Sequence, residues 1–168
     1  MMFKEEQKFH QRWLWLLLLT LAIFTTLFFG KGMVQQIIQG EPWGDRPMSD
    51  LALLIVGSGI ILFVVAMTYL FYCLKLITVV RDDGLYIHFF PLRKRKIDFS
   101  EIKSCEARTY NPIRDYGGWG IKSGRKGKAY NVSGDKGVKL EFFEGQPLLI
   151  GSQKAEELAG VIQRYMKR

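Results

Sequence analysis

The sequence predicts an α+β membrane protein, a two-helix transmembrane hairpin followed by an antiparallel β-barrel or sandwich that one C-terminal helix caps. Three observations predict it. Two long uncharged apolar runs stand before Lys75, short alternating segments punctuated by Gly, Pro and Asp follow it, and the last segment carries one helical apolar stripe. Charge divides at the same place. From Lys75 onward there are 19 basic and 11 acidic residues, against 5 and 5 before it, so the net charge of +8 belongs to the C-terminal part. Residues 1–74 are therefore read as an N-terminal tail with two spans, and residues 75–168 as a cytoplasmic domain.

The first span runs from Trp13 to Phe29 without a charge. At about 1.5 Å per residue it covers roughly 26 Å, short of a hydrocarbon core of about 30 Å. Extension to residue 38, with Lys31 reaching toward the headgroups, supplies the rest. Leu51 to Leu74 is also uncharged and spans comfortably, and Trp13, Tyr69 and Tyr72 fall near span ends, where amphipathic rings favour the interface. A cleaved leader is disfavoured because the first run ends in Phe28-Phe29 with no small-x-small site. Lys4, Lys8 and Arg12 precede the spans, and Lys75, Arg81 and Arg93 to Lys96 follow them. This bias places both termini in the cytoplasm and the 30–50 loop outside a multi-pass cell-membrane protein. Gly57-Ser58-Gly59 lets helices approach closely, within one chain or between copies.

The predicted strands begin with Leu76 to Val80, followed by an Asp82-Asp83-Gly84 turn. Leu85 to Phe90, Lys94 to Phe99 and Ile102 to Tyr110 come next, then runs at 119–123, 128–132, 138–143 and 147–150. Ser152 or Gln153 caps the last helix, whose first turn carries Glu156 and Glu157 near the positive end of the dipole. Its face is Leu158, Val161, Ile162, Tyr165 and Met166. A twisted sheet closed by one such helix describes a pleckstrin-homology-like barrel.

The segments Tyr116-Gly117-Gly118-Trp119-Gly120-Ile121, Ala129-Tyr130-Asn131 and Ile150-Gly151-Ser152-Gln153 carry a resemblance. The chain resembles bacterial two-span membrane proteins with a pleckstrin-homology-like domain, of an uncharacterised family. That resemblance implies a fold and a place, and no reaction.

No catalytic group stands out. His10 and His88 lie far apart in the chain without a Cys/His/Asp cluster, so neither metal nor cofactor is expected. Cys73 and Cys105 give no disulfide framework, and Gly124 to Lys128 lacks the spacing of a phosphate loop. The expectation is a non-enzymatic interaction or scaffolding module that binds a membrane or cytoplasmic protein or a second copy of itself. Arg114, Tyr116, Trp119 and Tyr130 are the expected recognition surface, because exposed aromatics beside Arg suit binding; for Trp119 the plainer reading is a plug in the barrel. The alternative is anionic lipid or another polyanion held by two basic hairpins. One contains Arg93, Lys94, Arg95 and Lys96, and the other spans 122–128 with Arg125, Lys126 and Lys128. The plainer reading of both is solvated charge. Nucleic acid is disfavoured.

Overall fold

The computed structural model describes residues 3–124 and 126–167. The chain forms two compact units. One is helical and runs His10–Tyr72; the other joins the N-terminal segment to the chain from Cys73 onward.

In the helical unit α1 spans Arg12–Met33, widens into a π-turn at Val34–Ile38, and is followed after a loop by α2, Asp50–Cys73. Both helices are long and apolar enough to cross a membrane. They run antiparallel, since Trp15 near the start of α1 meets Tyr72 near the end of α2 edge to face, with ring centroids 6.4 Å apart. Gly57 permits the approach: a Cβ there would stand 2.5 Å from the Met33 Cε. The Thr25 and Thr68 hydroxyls donate to carbonyls one turn back, which hides them inside their own helices. Gln36 ties the loop by donating to the Met48 carbonyl and the Asp50 carboxylate, both at 2.7 Å.

The other unit holds two sheets and two helices. The first sheet has the order β1-β2-β3-β4, all antiparallel: β1 Phe3–Lys8, β2 Lys75–Arg81, β3 Gly84–Phe90 and β4 Arg93–Ile97. The second has the order β5-β8-β9-β7-β6, with β5 Ile102–Thr109, β6 Gly120–Gly124, β7 Gly127–Asn131, β8 Lys136–Phe142 and β9 Leu148–Gly151. It is mixed, because β7 and β9 run parallel; the expectation of a wholly antiparallel arrangement is corrected at this pair. Gly127 makes the pairing possible. Its φ is +105°, and a Cβ there would stand 2.3 Å from the Pro147 carbonyl oxygen that the Lys128 N–H uses.

Strand β1 is the larger correction. Residues 3–8 are not a free tail: they pair with β2 from Phe3↔Val80 to Lys8↔Lys75. Phe3 and Gln7 point inward and are buried. Two polar side chains then fasten the strand to the segment before the last helix. Gln7 donates from Nε2 to the Gly151 carbonyl at 2.8 Å, and Glu5 accepts from the Ser152 hydroxyl and from the Gln153 N–H at 2.8 Å. Ile150-Gly151-Ser152-Gln153 is thus the socket for the first strand.

Helix α4, Ala155–Met166, closes the core over β5 and β8. The N-cap is Lys154 and makes no side-chain cap, which corrects the expectation of Ser152 or Gln153 there; Ser152 instead accepts the Lys154 N–H just before the helix. The buried face is Ala155, Leu158, Ala159 and Ile162; Val161, Tyr165 and Met166 lie at its margin. Gln163 donates to the Cys105 carbonyl at 2.8 Å, and Tyr165 stacks on Phe99 and donates to Asp82 at 2.6 Å. The interior between sheets and helix is filled by Leu76, Val80, Phe89, Leu140, Ile150 and Tyr130, all nearly inaccessible.

Two outcomes follow. Glu5→Ala should lower the unfolding free energy of the detergent-solubilised chain by about 1–3 kcal/mol, because it strips a buried hydroxyl and an N–H of their acceptor; a denaturant titration measures this. Burial against α4 pushes the Cys105 thiol up to about 12, so it should resist maleimide at pH 8 in the folded chain and react once denatured, as mass spectrometry would record.

Candidate binding site

The segment 108–119 folds over the outer face of the second sheet, and a short helix organises it. Asn111 caps α3, Pro112–Tyr116, by accepting the Arg114 N–H at 2.9 Å; Pro112 occupies the first turn, where its missing N–H costs nothing. Gly117 ends the helix in the left-handed conformation with φ +74°. Asp115 is the tie. Its carboxylate accepts the Asn111 N–H at 3.0 Å and pairs with Lys126 of the β6–β7 turn at 2.7 Å. Those two donors hold its pKa below the ordinary carboxylate value, the Lys126 hydrogen bond being the larger cause.

Beneath α3, Tyr110, Ala129 and Leu149 form a small apolar cluster on which Tyr116 packs, edge to face with Tyr110 at 5.9 Å. Asn131 is fully buried and satisfied on both sides: its amide N–H reaches the Tyr110 hydroxyl at 3.0 Å, and its oxygen accepts the Gly120 N–H at 3.0 Å. Burial pushes the Tyr110 hydroxyl up to about 12, against the opposing pull of Asn131. Ala129 and Asn131 therefore support the α3 loop, the one by packing and the other by hydrogen bonds.

Between loop and sheet lies an open cleft of about 300 Å³, lined by Arg108, Tyr110, Asp115, Tyr116, Lys126, Lys139 and Pro147. Lys126 is paired with Asp115 and Lys139 with Glu141, but Arg108 has no ion pair among the described residues. Arg108 also bears on the Tyr116 hydroxyl, whose pKa burial raises and the guanidinium draws back. The cleft offers an unneutralised cation in one lining with two phenol groups, which suits a carboxylate or another small anion.

Of the expected recognition residues, Arg114 is exposed on α3 and Tyr116 is half-buried at the cleft wall. Trp119 does not plug the interior: it is half-buried outside, its indole N–H donating to the Gly134 carbonyl at 3.1 Å. Tyr130 is corrected. It is 2% exposed and belongs to the core, so it shares no surface with the other three. Arg108 opens the 108–119 segment, of which only Arg114, Tyr116 and Trp119 were expected at the surface. Lys139 and Pro147 were missed, since only the β5–β8 pairing and the β7–β9 crossover bring them in.

The two basic hairpins are edges of different sheets. In β4, Lys96 pairs with Asp83 and Asp98, and Arg95 lies over the Phe142 ring at 5.2 Å. Arg93 and Lys94 are exposed and without an ion pair among the described residues. In the other hairpin Lys126 is committed to Asp115, Lys128 is half-buried, and Arg125 lies outside the described residues. Among the described residues no group of three or more His, Cys, Asp or Glu could hold a metal ion.

A family model described as a family of unknown function (DUF6141) matches residues 1–166. The chain belongs to that family. Its match takes in the N-terminal strand, both helices and the sheet domain together, in keeping with a first strand that completes the first sheet. No curated protein and no solved structure matches the chain.

Since Asp115 is depressed in the folded state, its contribution is present above its ordinary value near 3.8 and is lost as pH falls through the lower folded value. The protection factors of amides at residues 111–117, taken relative to intrinsic exchange at each pH, should therefore fall on acidification below about pH 4, and in Lys126→Met the same segment should be less protected already at pH 7.

Proposed function

We propose that this family member is a two-span membrane protein that holds a pleckstrin-homology-like domain at the cytoplasmic face, where the α3 cleft captures an acidic segment of a partner protein. The single observation that carries the reading is the β1–β2 pairing. It fixes the points where the chain leaves the sheet and returns to it as neighbouring strand ends, three residues from α1 on one side and one residue from α2 on the other. In this reading the intervening helices cross as a pair.

Lipid as the surrounding of α1 and α2 is supported by magnitude. Twenty-two large apolar side chains between Trp13 and Tyr72 are exposed, among them Leu16, Leu27, Leu62 and Phe63 at about two-thirds. Even at about 1 kcal/mol each, leaving them in water would cost more than the roughly 5–15 kcal/mol that stabilises a whole domain. Orientation rests on the Lys and Arg bias of the flanks. The pleckstrin-homology-like reading is supported by two sheets and a closing C-terminal helix. Partner capture is supported by the unneutralised Arg108, the exposed Arg114 and the half-buried Tyr116, on a loop that Asp115 and Asn131 make rigid. Aromatic and Arg side chains on a preorganised surface are the usual anchors of an interface.

The test is in-cell photocrosslinking from position 114 in the full chain. An adduct of defined mass should form, and Arg108→Glu should reduce it about tenfold or more without moving the unfolding midpoint, the scale expected when a buried charge pair loses a partner. A product of twice the chain mass would identify a second copy as the partner. No adduct, or one indifferent to Arg108→Glu, would overturn the reading.

A further inference from the structure

We infer that the tip of the β3–β4 hairpin, Phe90-Pro91-Leu92 backed by Arg93 and Lys94, seats in the anionic headgroup layer of the membrane that α1 and α2 cross. The inference rests on the two-span reading and adds a second attachment to it.

Strand register supplies the first argument. Lys8, Lys75 and Phe90 are aligned across three neighbouring strands, as Lys8↔Lys75 and Lys75↔Phe90. Lys8 is the last residue of β1 before the chain passes to α1, and Lys75 is the first of β2 after α2. The hairpin tip therefore lies at the end of the sheet from which both helices depart. The Asp82-Asp83 turn lies at the other end, beside the Arg81↔Gly84 pair.

Side-chain chemistry supplies the second. Phe90 is 38% and Leu92 58% exposed, and no other part of this sheet presents large apolar side chains to that extent among the described residues. Cations surround them. Lys8, Lys75, Arg93 and Lys94 gather at this end against a single carboxylate, Glu6, which Lys75 holds at 3.2 Å. The Lys75 ammonium also lies over the Phe90 ring at 5.7 Å. The opposite end instead collects Asp82, Asp83 and Asp98, answered by Lys96 and Arg81. Apolar residues at the tip with unpaired cations one step behind match the order of layers met on approaching an anionic bilayer, headgroup charge outside and acyl chain within. An acidic protein surface would pair the cations but leave Phe90 and Leu92 without an apolar host. His88, between Lys75 and Lys94 on the outer face, stays neutral at pH 7 because burial and those two ammoniums lower its pKa, so it adds no charge.

The test places an environment-sensitive fluorophore at Leu92→Cys in the full chain carrying Cys73→Ala, reconstituted in nanodiscs of phosphatidylcholine with or without phosphatidylglycerol. An Asp82→Cys label is the control. Spin label on the first carbons of the acyl chain should quench the Leu92 probe and leave the Asp82 probe bright. Quenching should rise with phosphatidylglycerol and fall in Arg93→Gln/Lys94→Gln, each cation contributing roughly fivefold to surface partitioning. An unchanged unfolding midpoint shows that the double variant is folded. Equal quenching at the two positions, or none that depends on phosphatidylglycerol, overturns the inference. Alkaline carbonate separates the failures. A chain that stays with the vesicles while its Leu92 probe remains bright keeps the anchor and loses the seated hairpin; a chain that washes off loses both.

Discussion

The structure depends on the six-residue pairing between β1 and β2. It joins the two ends of the helical segment, because the chain leaves the sheet at Lys8 and rejoins it at Lys75 on the adjacent strand. Closing a flexible loop of 66 residues would cost roughly 4 kcal/mol in chain entropy. Antiparallel helices offset that cost by bringing the ends together before the strands meet. The pairing and the helical hairpin therefore favour each other. Glu5 and Gln7 add a lateral lock, using the carbonyl, hydroxyl and N–H of Gly151-Ser152-Gln153 that would otherwise need water.

The same economy of polar groups shapes the candidate site. Asn131 satisfies two elements from one buried position, and Asp115 holds both the start of α3 and the β6–β7 turn. Positions whose residue types suggested chemistry thus prove to be supports: Tyr130 fills the core, Trp119 fastens a turn, and Lys126 neutralises a carboxylate. Arg108, Arg114, Arg93 and Lys94 remain unneutralised or exposed. They fall on two separate surfaces, the α3 cleft and the hairpin tip, so the proposed partner and the proposed bilayer contact would not compete.

Much of the fold was legible in the sequence because its elements obey simple periods. The two long helices read as unbroken apolarity, β2 and β3 as alternation, and α4 as a stripe recurring every three or four residues. Strand β1 was not legible. Its inward positions are Phe3, Glu5 and Gln7, so only one of three is apolar and the period of two carries almost no hydrophobic signal. The partners that make Glu5 and Gln7 acceptable indoors lie more than 140 residues away. Helix α3 did leave a local signal, Asn111-Pro112 at its start and Gly117 at its end, but its five residues are too few to show a periodicity. The β7–β9 crossover, and with it Lys139 and Pro147 in the cleft, depends on pairing that no local pattern encodes.

The β1–β2 register is open to a direct chemical measurement. Glu6 and Ile77 are cross-strand partners, whereas Thr78, the neighbour of Ile77, points to the opposite face. Directly paired residues place their Cβ atoms about 4.5–5.5 Å apart, within reach of a disulfide. In full-length chain lacking Cys73, mild oxidation in membranes should link Glu6→Cys to Ile77→Cys within one chain and leave the Glu6→Cys/Thr78→Cys pair largely reduced. Equal linkage of both pairs, or of neither, would mean that the N-terminal segment is not a strand of this sheet, and the tie between anchor and domain would be gone.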